Sequence, residues 1–124
     1  MGITSASTYR MTFIVNKELR MGAGKIAAQV AHACLSLYTE ITNNSSLRRH
    51  CNSWYLAGQT KVVLQCHTTE ELMSLFRDAG EEGLACYLVR DAGRTQVEAG
   101  ACTVLGVFGD EIRLRRLIGN LKLL

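Results

Sequence analysis

Proline is absent from all 124 residues, where an average composition of about 5% would supply about six. No repeat, linker or low-complexity segment divides the chain, so one globular domain with a single core is expected. No apolar run approaches the roughly 18 residues that a bilayer-spanning helix needs. Met1 to Arg10 lacks the basic start and apolar stretch of a secretory signal, and Ala6 stands where a myristoylation pattern needs Ser or Thr. A soluble, cytoplasmic protein with no membrane partner is expected. The five cysteines, Cys34, Cys51, Cys66, Cys86 and Cys102, are odd in number and contain no C-x2-C pair, which argues against a disulfide framework and a zinc site. Buried free thiols in a reducing compartment are the simplest reading. Fourteen Lys and Arg against eleven Asp and Glu leave a net charge of +3, too small to establish an anionic partner by itself.

What is present reads as alternating strands and helices. Tyr9, Met11, Phe13 and Val15 alternate with Arg10, Thr12 and Ile14 as in a strand, and Gly22 and Gly24 then open a helical pattern. From Lys25 the residues Ile26, Ala27, Val30, Ala31, Cys34, Leu37, Tyr38 and Ile41 recur at three- and four-residue steps, giving an apolar stripe. A second short helix carries Leu47, Cys51, Trp54 and Tyr55, with Ser45 or Ser46 as its expected cap. Val62 to Leu64 reads as a buried strand, and Thr68 with Glu71 as a capping box for a helix ended by Gly80 and Gly83. Leu84 to Val89 and Ala101 to Phe108 are the remaining strands, followed by a short helix capped by Asp110. The order β-α-α-β-α-β-β-α predicts a three-layer α/β sandwich, a four-stranded mixed sheet with helices on both faces. The two helical crossovers predict parallel pairing of successive strands, and the short third connection an antiparallel return.

Chemistry can gather at the carboxyl edge of such a sheet. Lys25, Gln29, His32 and Ser36 are expected on one polar stripe opposite the apolar one, with Lys25 in the first turn after a glycine loop. A Walker loop is excluded, because it needs Gly at position 19 and Ser or Thr at 26, where Leu19 and Ile26 stand. Asp91-Ala92-Gly93-Arg94-Thr95-Gln96 begins as the third strand ends, and an antiparallel return brings Thr103 back beside Asp91. Topology thus gathers Lys25, Asp91, Thr95 and Thr103. A carboxylate beside an ammonium with two hydroxyls nearby can orient water and stabilise an oxyanion, the minimum for ester hydrolysis. A simpler reading of the same residues makes Asp91 a turn cap and Lys25 an ordinary ion-pair partner. No G-x-S-x-G elbow, H-E-x-x-H motif or metal-binding acid pair is present, and His50 and His67 have no organised partners.

At these residues the sequence resembles the archaeal and eukaryotic, type 2, family of peptidyl-tRNA hydrolases. Lys17-Glu18-Leu19, Met21-Gly22 and Gly24-Lys25-Ile26-Ala27-Ala28-Gln29 with His32-Ala33 resemble its first helix, and Gly58-Gln59 to Leu64 its second strand. Asp91 to Gln96 resembles its signature loop, Thr103-Val104-Leu105-Gly106 its last strand, and Gly119 to Leu124 its closing segment. The resemblance implies residues 1–11 as an N-terminal segment with a flexible first part and 12–124 as one domain. It further implies a cofactor-free, metal-independent hydrolase that cleaves the ester joining a peptide to the 3′ ribose of tRNA. Lys25, Asp91, Thr95 and Thr103 are then the catalytic set. Gln29, His32, Lys17, Arg20, Arg94 and Gln96 would hold the 3′ end and backbone phosphates of the peptidyl-tRNA, and a homodimer is expected.

The sequence departs from the family pattern at Glu98-Ala99-Gly100, where Pro usually precedes the glycine, at Phe108-Gly109, where Gly-Pro is usual, and at Ile118, where Thr is usual. The competing function is a non-catalytic RNA- or protein-binding module using Lys17, Arg20, Lys25, Arg90 and Arg94. Asp91 discriminates between the two, since a pure binder of phosphates has no need of that carboxylate.

Overall fold

The computed structural model describes residues 8–93 and 99–124. Strand β1 (Tyr9–Asn16) leads through a 3-10 turn (Lys17–Leu19) into α1 (Ala23–Thr42), then α2 (Arg48–Leu56), β2 (Lys61–Cys66), α3 (Thr69–Glu81), β3 (Ala85–Arg90), β4 (Cys102–Asp110) and α4 (Glu111–Ile118). The element order matches the sequence pattern. The strands form one mixed sheet in the order β2-β1-β4-β3. β1 pairs parallel with β2 and antiparallel with β4, which pairs antiparallel with β3.

One expected pairing fails. β2 and β3 run the same way but lie on opposite edges, because β4 returns between β1 and β3 and takes the central place that direct parallel pairing would have given to β3. The reason lies in β4 itself: eight of its nine residues are buried, which only a strand with neighbours on both sides and helices on both faces can satisfy.

In place of the single expected core there are two, because the sheet buries both of its faces; one lies between the sheet and α1 with α2, built on Met11, Phe13, Val15, Ala33, Leu37, Trp54, Val104 and Phe108. The other lies under α3 and α4, where Ile14, Leu64, Leu72, Leu105, Val107, Leu114 and Ile118 meet. α1 approaches the sheet closely over Gly106, where a Cβ would come within 3.3 Å of Phe13 and 3.4 Å of Leu37. Thr68 caps α3 as expected by accepting from the Glu71 N–H at 3.0 Å. Glu71 reaches back to the N–H of His67 at 2.8 Å, one residue before the usual partner. Asp110 caps α4 by accepting from the N–H of Arg113. The serine cap expected for α2 is not formed. Leu47 stands at that position, and Asn44 instead accepts from both the N–H and the hydroxyl of Ser46, which organises the turn before the helix.

The stripe on α1 is also rotated from the expected one. Gln29, Ala33, Leu37 and Ile41 form its buried line, while Ala27, Ala31 and Leu35 are exposed on an apolar flank. Gln29 therefore leaves the polar stripe assigned to it and faces the sheet, where a hydrogen bond satisfies its side-chain oxygen.

Candidate active site

β1 and β3 run in the same direction, so the turn into α1 and the loop after β3 emerge at one edge of the sheet. Asp91 follows β3 directly and is tied to the returning chain, its N–H donating to the Ala101 carbonyl at 2.8 Å and its own carbonyl accepting from Gly100 at 2.7 Å. Its side chain meets Lys25 of α1. The ammonium donates to Asp91 Oδ1 in an ion pair whose side chains are only 8% and 3% exposed. Asp91 Oδ2 accepts from the Gly93 N–H at 2.7 Å. The Lys25 hydrogen bond, joined by that from Gly93, holds the Asp91 carboxyl below the usual aspartate range although burial acts the other way.

Asp91 is therefore both a turn cap and an ion-pair partner, and burial separates it from an ordinary surface pair. Sequestering two charges is a poor source of net stability, since their desolvation offsets their attraction. An ammonium in the first turn of a helix also opposes the helix dipole, and α1 has no acidic residue there to compensate. A pair held against both tendencies points to chemistry.

Thr103, the second residue of β4, is completely buried. Its hydroxyl donates to Gln29 Oε1 at 2.5 Å, with the Val89 carbonyl 3.5 Å away. The hydroxyl is committed within the protein, which makes Gln29, rather than Thr103, the member of this pair nearer to solvent. Lys17 and Arg20 are exposed on the turn between β1 and α1. Arg20 adopts a left-handed backbone, φ 52°, and donates its N–H to the Lys17 carbonyl. His32 lies further along α1, with its ring 6.1 Å from that of Tyr87 on β3 and inclined by 28°. Thr95, Arg94 and Gln96 lie outside the described residues.

Sequence reasoning missed Asn16. Fully buried at the end of β1, it donates to Thr69 Oγ1 at 2.8 Å and to the Cys102 carbonyl at 2.9 Å, and accepts from the Glu18 N–H at 3.1 Å. It thereby joins β1, α3 and the start of β4 just before Thr103. A polar residue ending an apolar strand was the available signal. A large cavity among the described residues lies elsewhere, on the other flank of α1. About 820 Å³ in volume and lined by Phe13, Ala31, Leu35, Trp54, Tyr55 and Val63 among others, it has no Asp or Glu side chain in its lining. Its apolar lining suits contact rather than acid–base chemistry.

Among the described residues no group of three His, Cys, Asp or Glu is placed to hold a metal ion, and no helix is long and apolar enough to cross a membrane. Cys51, Cys66 and Cys102 are buried, Cys34 and Cys86 half-buried, and all five are free. Burial pushes the Cys66 thiol up to about 11, leaving it little nucleophilic character.

The fold is a three-layer α/β sandwich whose four-stranded mixed sheet carries a buried carboxylate–ammonium pair at its carboxyl edge. Residues 9–124 match the family described as Peptidyl-tRNA hydrolase PTH2, and the chain belongs to that family. It is 44% identical over 117 residues to the probable peptidyl-tRNA hydrolase 2 of Caenorhabditis elegans, spanning 94% of this chain and 37% of that longer protein. It is 42% identical over 116 residues to the peptidyl-tRNA hydrolase of Metallosphaera sedula, spanning 93% of this chain and 99% of the relative. The peptidyl-tRNA hydrolase of Methanococcus maripaludis strain C6 is 38% identical over 117 residues, spanning 94% and 99%. Family and relatives together support peptidyl-tRNA hydrolase activity.

Proposed function

We propose that the chain hydrolyses the ester between a peptide and the 3′ ribose of tRNA, with Asp91 and Lys25 as its catalytic pair. The observation that carries this reading is the buried Lys25–Asp91 pair at the sheet edge in a member of this family. A carboxylate held below its usual range is a weak base, so Asp91 orients the attacking water by accepting its hydrogen bond rather than by taking its proton outright. An ammonium has three donors, and Lys25 gives one to Asp91. Another meets the oxygen of the scissile carbonyl as it gains negative charge. Water adds to the carbonyl carbon and the bond to the 3′ oxygen breaks; one proton of that water ends on the 3′ oxygen, giving the tRNA hydroxyl, and the other passes to solvent as the peptide departs as its carboxylate.

Gln29, held by Thr103, offers its amide N–H groups to the ester, and Thr95 supplies a further hydroxyl from the loop after Asp91. Lys17, Arg20, Arg94 and Gln96 hold RNA phosphates around the site, His32 lines its approach, and the reaction belongs with translation in the cytoplasm. The apolar groove beside α1, with Leu35 and Tyr55 exposed along it, is the surface through which two copies would form a homodimer. The deciding experiment compares an N-acetylaminoacyl-tRNA with its unblocked counterpart. Cleavage of the blocked ester with sparing of the free one is expected. Equal cleavage would indicate a general esterase, and no cleavage a binding module.

A further inference from the structure

The two edges of the sheet are finished differently. Along β2 the chain's own last residues close the edge: Gln65 donates its N–H to the Lys122 carbonyl at 3.0 Å, Leu124 to the Val63 carbonyl at 3.0 Å, and Leu64 and Leu123 form an antiparallel bridge. Along β3 no strand among the described residues pairs with the outer side. Its outward N–H and C=O groups are a template for another chain, an exposure that native sheets usually blunt with charge, proline or a covering element. Here the strand reads Ala-Cys-Tyr-Leu-Val-Arg, with one charge at its end. It forms the floor of a slot of about 430 Å³, walled by His32 and Glu40 of α1 on one side and Phe76 of α3 on the other.

The direction of this strand gives the slot its meaning. β3 runs toward Asp91, the residue immediately after it. An extended chain laid parallel to β3 therefore has its carboxyl end at the Lys25–Asp91 pair. Resting on the hydrolase reading above, we propose that the open edge of β3 is the subsite for the peptide portion of the substrate, which adds as a fifth, parallel strand and delivers its C-terminal ester to Asp91. Main-chain pairing suits an enzyme whose substrates share a backbone and no side-chain sequence. A six-residue strand offers about 20 Å of edge at about 3.3 Å per residue, room for five or six residues of peptide. Substrate side chains alternate between the two walls, toward His32 on one and Phe76 on the other.

The test uses the intact protein and peptidyl-tRNAs of defined length. KM should fall as the peptide grows from one residue to about five or six and then level off. Single N-methylation of successive peptide amides should raise KM by about three- to tenfold at alternate positions, the effect of one lost hydrogen bond, and by less than about twofold between them. Slowed hydrogen exchange at alternate amides of residues 85–90 on adding a non-hydrolysable 3′-amide-linked peptidyl-adenosine would support the same pairing. An N-methyl scan without alternation, while N-acetylaminoacyl-tRNA is still cleaved, overturns the strand and leaves the hydrolase standing. A β3-to-β3 dimer with length-independent KM does the same, and no cleavage of any substrate removes both readings.

Discussion

The Thr103 hydroxyl donates to Gln29 Oε1 at 2.5 Å, joining the start of β4 to the buried line of α1. A threonine whose hydroxyl is spent inside the protein acts through its partner, so its loss should appear as misplacement of Gln29. Thr103→Val keeps the shape and removes the donor. It should lower kcat about tenfold or more with little change in KM or in the circular dichroism spectrum, while Thr103→Ser restores most of the rate. A rate unchanged in Thr103→Val would leave Thr103 a packing residue.

Asp91→Asn removes the charge at constant size, and hydrolysis should fall by about a hundredfold or more with tRNA affinity nearly unchanged. Turnover surviving within a few fold would reduce Asp91 to a turn cap.

The pH dependence has a definite sign. The folded Asp91 carboxyl is depressed below the ordinary aspartate value of 3.8, so its contribution to stability and rate is present above that value and is lost as pH falls through the lower, folded one. The acid limb of kcat should therefore lie below the ordinary aspartate range. Lys25→Met removes the main cause of the depression and should move that limb upward while slowing the reaction. A limb that stays in place would show that Lys25 does not set the charge state of Asp91.

Much of this was legible because the chain repeats its information. Strand–helix order, the glycine turn before α1 and the caps at Thr68 and Asp110 are local signals, and two strands of like direction suffice to place Lys25 near Asp91. What escaped depends on contacts distant in sequence. The insertion of β4 beside β1 follows from burial on both faces, which sequence alone does not distinguish from a strand at the edge. Gln29 looked solvent-facing because the group that satisfies its side-chain oxygen, the Thr103 hydroxyl, is 74 residues away. Asn16 drew no notice because its partners, Thr69 and Cys102, lie 53 and 86 residues away.

Binding of tRNA through exposed cations predicts an affinity that falls steeply with salt, with a log-log slope of about −0.7 to −0.9 per phosphate neutralised. Lys17 and Arg20 are exposed on the turn before α1, so Lys17→Ala and Arg20→Ala should each lower the slope by about one such step. A slope untouched by both would place the RNA on another face.

Ala99 stands where the family pattern, by the resemblance of the sequence, has proline. Ala99 is exposed, makes no hydrogen bond through its N–H to the described residues, and packs against Gly93, at which a Cβ would lie 2.7 Å from the Ala99 Cβ and 2.8 Å from its nitrogen. Gly93 has φ +78°, so glycine there is required twice, by backbone and by space, and it is the absence of its side chain that leaves room beside position 99. Ala99→Pro removes no partnered donor, and where the local φ suits the ring it narrows only the unfolded chain. It should stabilise the protein by about 0.4 to 1 kcal/mol and leave hydrolysis intact. Gly93→Ala should do the opposite, lowering both the melting temperature and kcat, because the added methyl displaces the chain that returns from Asp91 toward Thr103. A fall in melting temperature and activity for Ala99→Pro would mean that position 99 has a backbone that proline cannot adopt, and the role proposed for Thr95 would fall with it.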